Sequence, residues 1–210
     1  MARRPFYFVT PQSTVKEGSA DFEWFPGFAV SQKQQSISSF HQAIGKLKKK
    51  PLEISTKGLI PLGVRLSAFN LKIGGYFLEN IFQSSKVFSK GGPFSDLLDV
   101  SPKDAKRDPR LRESGNLTAF RYNGTDWPLL PKTAFYDWLY YNAVRENLSD
   151  EELRELCEYD AFTDIEFNPS KSINTQARSA ALVVAVYKTF GTLPKINEEE
   201  FLRLHRNIIA

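Results

Sequence analysis

The segment from about residue 174 to 190 limits the possible folds more than any other part of the chain. It contains the run AALVVAVY at residues 180–187, which is apolar on nearly every side of a helix. A helix that lacks a polar face has to be buried. The sequence around it mixes helical and extended patterns, so we expect a helix-rich α+β fold with this helix as its central buried element.

The length of 210 residues fits one domain, at most two. Hydrophobic residues make up 41% of the chain, and 17 Phe with 8 Tyr supply enough bulk for a real core. We therefore expect a single domain over residues 1–210. Within it, residues 1–60 are predicted to form an N-terminal extension packed on a core of residues 64–190.

Several classes of protein are disfavoured by composition. The single cysteine, Cys157, excludes a disulfide within the chain, and its acidic neighbours are expected to raise the pKa of the thiol. The two histidines, His41 and His205, lie too far apart in sequence to suggest a zinc site. No apolar run reaches about 18 residues and no secretory signal is recognisable. We expect a cytoplasmic protein that uses no metal, cofactor or membrane.

The other elements follow from periodicity and turn residues. Extended segments are predicted at 5–9, 52–55, 64–66 and 117–122, and the last ends in the hairpin signal Asn123-Gly124. Residues 11–20 are predicted to be a loop. Helices are predicted at 36–48, 76–88 and 132–146, and further helices are predicted to start at Ser101, Ser149 and Asn197.

A polar stripe on the predicted helix at 76–88 points to chemistry. Glu79, Gln83 and Lys86 stand at positions i, i+4 and i+7, on one helical face. The carboxylate and the amine would be two turns, about 10 Å, apart, a gap that a nucleotide-sized ligand could span. Such a ligand would meet an acid/base at one end and a nucleophilic amine at the other. The alternative is an ordinary solvated stripe on a surface helix.

Carboxylates in an apolar setting mark a second segment. Asp160 and Asp164 lie among Ala, Phe and Ile residues, shortly before Asn174 at the start of the apolar helix. Buried carboxylates are costly unless they are paired or used, and a helix start offers N–H groups to phosphate. The alternative is that Asn174 only caps the helix and the carboxylates solvate a loop.

A third segment and two basic runs carry weaker signals. Residues 65–70 combine the small, aromatic and amide side chains that stack on a base or ribose and bind its edges, namely Arg65, Ser67, Phe69 and Asn70. The net charge of +4 permits a nucleic-acid partner without requiring one. The basic runs at 46–50 and 103–112 could contact phosphates or be solvated faces.

Together these segments resemble the motifs of the NADAR superfamily. Leu66-Ser67-Ala68-Phe69 resembles its L-S-N-F motif, and residues 79–88 resemble its E-x-x-F-Q-x-x-K-x-F helix. Asp160-Ala161-Phe162 with Asp164, and then Asn174–Ala177, resemble its later motifs, while residues 101–107 look like its basic helix. The sequence departs from the family at Ala68, which replaces the usual Asn, and at 165–168, which replace a glycine-rich stretch.

The resemblance implies a NADAR-like fold and an N-glycosidase. One branch of the superfamily removes ADP-ribose from guanine bases in DNA and acts as the antitoxin of DarT-type toxins. The longer N-terminal region and the basic character favour this branch, which also implies functional pairing with a DarT-like toxin. Two alternatives stay open. One is cleavage of ribosylamino-pyrimidine intermediates of the riboflavin pathway, and the other is a non-catalytic module that binds ADP-ribose or neutralises a toxin.

The same resemblance implies roles for individual residues. Lys86 is expected to be the amine that forms a Schiff base with C1 of the ribose, with Glu79 and Asp164 as proton carriers. The ligand itself is expected to be bound by a larger set, which comprises Arg65, Ser67, Phe69, Asn70, Gln83, Asp160, Asn174 and Arg178. Lys106 and Arg107 are expected to contact nucleic acid.

Overall fold

The strands and helices were assigned in a computed structural model that describes residues 1–170, 172–173 and 175–209. The strands are β1 (Ala2–Val9), β2 (Val15–Phe22), β3 (Pro51–Glu53), β4 (Lys72–Ile73), β5 (Tyr76–Phe77), β6 (Lys86–Phe88), β7 (Leu117–Tyr122), β8 (Thr125–Trp127) and β9 (Ala161–Thr163). The helices are α1 (Val30–Gly45), α2 (Pro61–Arg65), α3 (Leu78–Ser84), α4 (Pro102–Arg107), α5 (Arg110–Glu113), α6 (Ala134–Asn147), α7 (Asp150–Leu156), α8 (Gln176–Phe190) and α9 (Glu198–Ile208). A short 3-10 turn covers Ser95–Leu98. The α+β prediction is confirmed.

Contacts divide the chain into two compact units, which we call the terminal unit (1–67 and 148–210) and the middle unit (68–147). The terminal unit holds a four-stranded sheet in the order β2-β1-β9-β3, in which β9 runs antiparallel to β1 and parallel to β3. Residues 1–60 therefore contribute β1, β2 and β3 to this sheet. The arrangement predicted for the whole chain, an extension on a core within one domain, stays a prediction.

The apolar helix is buried as predicted. It forms α8, in which every residue from 176 to 186 is buried, and it packs against β1, β2 and β9. The helix ends at Gly191, whose φ of 70° lies in the left-handed region that glycine adopts at low cost. This helix therefore backs the strand that leads to Asp164. In the described part of the chain, no helix combines the length and the apolarity needed to cross a membrane.

Aromatic rings form the core of the middle unit. Phe82 of α3 stacks on Phe120 of β7 with a centroid distance of 5.4 Å, and it meets Tyr136 of α6 edge to face at 4.9 Å. Phe135 of α6 stacks on Phe120 at 4.7 Å. The strands β6, β7 and β8 form an antiparallel sheet, and the predicted hairpin turn at Asn123-Gly124 is confirmed. This core fixes the helix that carries the polar stripe.

Several predicted boundaries are wrong. The predicted loop at 11–20 is largely β2, because Val15, Ala20 and Phe22 face the core while the polar residues between them face outward. Residues 64–66 are not extended, because Pro61 sits at the first position of the short helix α2. The helix predicted at 36–48 begins at Val30 and ends at Gly45.

The helix predicted at 76–88 is also shorter than expected. Helix α3 ends at Ser84, and Lys86–Phe88 pair with β7 as strand β6. The hydroxyl groups of Ser84 and Ser85 both donate to the carbonyl of Ile81, at 3.0 and 2.7 Å. Such back-bonding competes with the helical backbone and favours its termination.

The predicted helix starts are confirmed at three positions. Ser101, Ser149 and Asn197 each accept the amide of the third helical residue. Ser149 and Asn197 also form capping boxes with Glu152 and Glu200. The start of α4 matters most for the site described next, because this helix carries Lys106 and Arg107.

Candidate active site

Helix α3 carries the first candidate group and is fastened at its start by the segment before it. The amide of Leu78 donates to the carbonyl of Leu71 at 2.9 Å, and the amide of Glu79 donates to the carbonyl of Ala68 at 3.1 Å. All seven residues of α3 are buried, including Glu79 and Gln83, which are 4% and 5% exposed. The alternative of a solvated stripe is therefore wrong for these two residues.

The polar stripe forms a continuous hydrogen-bonded chain. The side-chain amide of Gln83 donates through Nε2 to Oε1 of Glu79 at 2.8 Å. Its Oε1 accepts from Nζ of Lys86 at 2.6 Å. Because a lysine ammonium group has no acceptor, it fixes the orientation of the amide, and Gln83 links the carboxylate to the amine. Lys86 joins this chain from strand β6 although the helix has ended.

The environment of Lys86 favours its neutral form. Burial lowers the pKa of Lys86, Glu79 opposes this shift, Lys106 adds to it, and the resulting pKa is about 8. The Nζ atom also lies 4.7 Å from the centre of the Phe82 ring. A lysine with a pKa near 8 has an appreciable neutral fraction close to neutral pH, and only the neutral amine is a nucleophile.

Lys106 lies close to Glu79 and Phe69, and is therefore more than a part of a basic surface. Its Nζ is 3.7 Å from Oε1 of Glu79 and 5.1 Å from the centre of the Phe69 ring. Its side chain is 57% exposed, whereas the side chain of Glu79 is 5% exposed. Glu79, Gln83, Lys86 and Lys106, which we call the amine cluster, therefore combine a buried carboxylate with two lysine amines. Arg107, the next residue of α4, is exposed, and its contact with nucleic acid stays a prediction.

Asn80 supports the amine cluster and was missed by the sequence analysis. It is fully buried, and its Nδ2 donates to the carbonyls of Leu97 and Val100, both at 2.7 Å. These bonds connect α3 to the segment that leads into α4, where Lys106 lies. Asn80 lies directly after Glu79 in the segment that the sequence singled out. Its position in the sequence does not show, however, whether its amide is buried or exposed.

Asp164, in the terminal unit, follows β9 and organises the turn after it. Its Oδ1 accepts the amides of Glu166 and Phe167 at 3.1 and 3.2 Å, and its Oδ2 accepts Nε2 of Gln176 at 3.1 Å. Gln176 is the first residue of α8, so Asp164 ties its turn to the buried helix. The role of Asp164 as a proton carrier stays a prediction.

Asp160 and Arg65 have partners that fasten the fold. Asp160 lies before β9 and accepts the amide of Lys50 at 2.7 Å and Nζ of Lys49 at 3.2 Å. Arg65 ends α2 and forms an ion pair with Glu152 of α7. These contacts give both residues a structural role, and their predicted contacts with a ligand stay predictions.

The remaining predicted ligand residues differ in exposure. Ser67 is buried, Phe69 is half-buried and Asn70 is exposed. Arg178, in the first turn of α8, is 9% exposed. Asn174 lies outside the described residues, and its predicted role stays a prediction.

Metal binding and thiol chemistry find little support in the described part of the chain. No group of three or more His, Cys, Asp or Glu side chains among these residues could hold a metal ion. Burial raises the pKa of Cys157 to about 11, so the thiolate is scarce at neutral pH. The cause is burial and not the acidic neighbours that the sequence suggested.

Comparison with known families identifies the chain. The sequence profile described as the DarT1-associated NADAR antitoxin matches residues 2–209, nearly the whole length. This match confirms the resemblance drawn from the motifs at 66–69 and 79–88. No curated protein matches the sequence.

Proposed function

Since the chain belongs to the DarT1-associated NADAR antitoxin family, we propose that it removes ADP-ribose from guanine bases in DNA by cleaving the N-glycosidic bond. In this way it would act as the antitoxin of a DarT-type ADP-ribosyltransferase. The observation that carries the proposal is the state of Lys86. A partly buried lysine with a pKa lowered to about 8, hydrogen-bonded to a glutamine that a buried glutamate holds, is a typical activated amine.

The proposed reaction passes through an imine on Lys86. Opening of the ribose ring places a proton on the ring oxygen and leaves C1 electrophilic. The neutral amine of Lys86 adds to C1, and the bond from C1 to the guanine nitrogen then breaks. The guanine leaves with a proton from the amine, and a protonated imine joins Nζ to C1. Water hydrolyses the imine, which releases ADP-ribose and returns the free amine.

The neighbours of Lys86 have roles that follow from their contacts. Gln83 holds the amine through a 2.6 Å hydrogen bond and so fixes its direction of attack. Glu79 would carry a proton to the ring oxygen or bind the ribose hydroxyls. Lys106, which is partly exposed, would bind a phosphate of the ligand or of DNA.

Other roles are proposed from the family motifs alone. Asp164 would be the second acid/base, and Ser67, Phe69 and Asn70 would contact the adenosine or the base. The start of α8, with Arg178 and Asn174, would take the pyrophosphate.

The decisive experiment is incubation of the protein with a guanine-ADP-ribosylated DNA oligonucleotide, followed by mass spectrometry. We expect wild type to remove the ADP-ribose mass and Lys86→Ala to leave it in place. Lys90→Ala is the matched control, because Lys90 is an exposed lysine four residues further on. Lys86→Arg keeps the charge but cannot form an imine, so full turnover by this variant would exclude the covalent route.

Two outcomes would redirect the proposal. If wild type leaves the ADP-ribosylated oligonucleotide intact, cleavage of ribosylamino-pyrimidines is favoured, because these substrates need no nucleic-acid surface. Binding of ADP-ribose without turnover would instead indicate a non-catalytic module. Competition by unmodified DNA that weakens with rising salt would separate a DNA substrate from a small metabolite.

A further inference from the structure

A buried carboxyl group in the terminal unit contacts the chain on both sides of Asp164. Glu53, the last residue of β3, is 2% exposed. Its Oε2 accepts the hydroxyl of Thr163 at 2.6 Å, and its Oε1 accepts the amide of Ile165 at 2.8 Å. Thr163 and Ile165 are the two neighbours of Asp164 in sequence. One side chain therefore fixes the backbone that presents Asp164.

The hydrogen-bonded chain continues to helix α1. The hydroxyl oxygen of Thr163 also lies 2.8 Å from Nε2 of His41. A hydroxyl group has one proton, so the direction of this chain depends on Glu53. While Glu53 is ionised, Thr163 donates to it and accepts from His41. Once Glu53 is protonated, Glu53 donates to Thr163 and Thr163 donates to His41.

Burial and the groups around Glu53 explain how it can change protonation state near neutral pH. Burial and then the charge of Asp164 raise the pKa of Glu53, hydrogen bonds from Ile165, Ser55 and Thr163 oppose the rise, and the resulting pKa is about 7. Burial lowers the pKa of His41 to about 4, so the imidazole is neutral at pH 7. We call His41, Glu53, Thr163 and Asp164 the carboxyl cluster.

Other charged groups on the elements that pack against β3 are held by partners of their own. Lys33 of α1 pairs with Glu166 at 3.3 Å. Arg65 of α2 pairs with Glu152. Asp160, before β9, is bound by Lys49 and Lys50. Asp164 is therefore the charge that responds most directly to the proton on Glu53.

We propose that Glu53 is a positioning residue for Asp164, and that the buried hydrogen-bonded chain from Glu53 through Thr163 to His41 changes direction with the protonation state of Glu53. The inference rests on the proposed function, because it gives Asp164 a task in the reaction. With Glu53 neutral, Asp164 is held without a like charge beside it. With Glu53 ionised, two carboxylates repel each other across the turn, and Asp164 loses its productive position.

The first test is the pH profile of kcat/KM on the ADP-ribosylated oligonucleotide. Glu53→Gln keeps the size of the side chain and resembles the protonated acid. In wild type, we expect activity to be limited by neutral Lys86 at low pH and by protonated Glu53 at high pH. In Glu53→Gln, the high-pH limit disappears. When the two profiles are scaled to coincide on their acid side, kcat/KM of Glu53→Gln should exceed that of wild type by about tenfold one pH unit above the pKa of Glu53.

Matched variants separate positioning from folding. Glu17→Gln changes an exposed glutamate of the same unit and should leave the profile unchanged. Thr163→Val breaks the chain, whereas Thr163→Ser keeps the hydroxyl and should restore the wild-type profile. An unchanged high-pH limit in both Glu53→Gln and Thr163→Val would overturn the inference.

A second measurement does not depend on turnover. The amide of Ile165 donates directly to Glu53, so its NMR chemical shift should titrate near pH 7 in wild type and not in Glu53→Gln. If wild type lacks glycosidase activity but the Ile165 amide titrates, the proposed function fails while the buried switch stands. If the amide does not titrate near pH 7 in wild type, the inference about Glu53 is wrong whatever the activity.

Discussion

The amine cluster of the middle unit and the carboxyl cluster of the terminal unit contain similar groups but differ in their exposure to solvent. Both place a buried glutamate in a hydrogen-bonded chain with a nitrogen-bearing side chain. The amine cluster extends to Lys106, whose side chain is 57% exposed, so it can meet a ligand. Glu53 in the carboxyl cluster is 2% exposed. The first cluster is suited to chemistry, and the second to control of a neighbouring group.

Burial also shifts the pKa values of Lys86 and Glu53, one in each cluster, in opposite directions. Burial lowers the pKa of Lys86 and raises the pKa of Glu53, because in each case the charged form is the one that loses hydration. Both shifts bring a group toward neutrality near physiological pH. A neutral lysine becomes a nucleophile, whereas a neutral glutamic acid removes a repulsive charge. The same physical cause therefore serves two different ends.

The largest expected effect is the loss of turnover on removal of the amine. Lys86→Ala should lower kcat by at least about 1,000-fold, because it removes the proposed nucleophile. Reduction with borohydride during turnover should add the mass of ADP-ribose to wild type at Lys86, measured by peptide mass spectrometry. Lys90→Ala should behave as wild type in both assays. Retention of turnover in Lys86→Ala would leave the amine cluster without a chemical role.

The next effect concerns stability and tests the carboxyl cluster alone. The pKa of Glu53 is raised from 4.5 to about 7 in the folded protein, so the folded state binds its proton more tightly than the unfolded state. Wild type should therefore lose stability relative to Glu53→Gln as the pH rises from about 4.5 to 7, by about 3 kcal/mol in total. Urea denaturation at pH 4 and pH 8 measures this difference. Glu17→Gln should show no such pH-dependent gap, and an equal gap in that control would implicate general charge effects.

A smaller loss is expected when the support of the amine cluster is removed. Asn80→Ala abolishes the two 2.7 Å bonds to Leu97 and Val100 and leaves these carbonyls to find other partners. The expected cost is about 1–3 kcal/mol of unfolding free energy, measured by denaturation. KM should also rise, because the segment before α4 and Lys106 is no longer fixed. Asn116→Ala, in an exposed loop, is the control and should change neither quantity.

The contrast between the clusters also explains what could be predicted from sequence. Glu79, Gln83 and Lys86 lie within eight positions of each other, so helical spacing alone suggested one face, even though the helix ends at Ser84. Glu53 and Thr163 are separated by 110 positions, and His41 and Thr163 by 122. Only the pairing of β3 with β9 and the packing of α1 bring them together. The local spacing of residues could not reveal a contact that depends on sheet order.

The wrong boundaries have the same origin. Residues 15–22 contain Lys, Glu, Ser and Asp and lack a long apolar run, so local composition suggested a loop. Strand β2 forms because β1 provides a partner for all eight of its residues. The buried helix α8 was predicted correctly because its signal does not depend on a partner. Tertiary pairing therefore decided the segments whose own preference was weak.

The smallest effect is a pair of opposite shifts in the reactivity of Lys86. Glu79 raises the pKa of Lys86 and Lys106 lowers it, so Glu79→Gln should make the amine more reactive at pH 7 and Lys106→Gln should make it less reactive. We expect a change of about threefold in each direction, since both groups are only part of the shift and Lys106 is half exposed to water. Competitive labelling with an amine-reactive reagent, read at Lys86 by mass spectrometry, measures the effect without substrate.

Lys103→Gln is the matched control, because Lys103 is an exposed lysine on the same helix α4 as Lys106. Its loss should leave the labelling of Lys86 unchanged. Shifts of the same sign in Glu79→Gln and Lys106→Gln would mean that packing around the amine, and not charge, sets its reactivity. Opposite shifts would instead establish that the charges of Glu79 and Lys106 modulate a pKa that burial has already lowered, just as the charge of Asp164 modulates the pKa of Glu53, which burial raises.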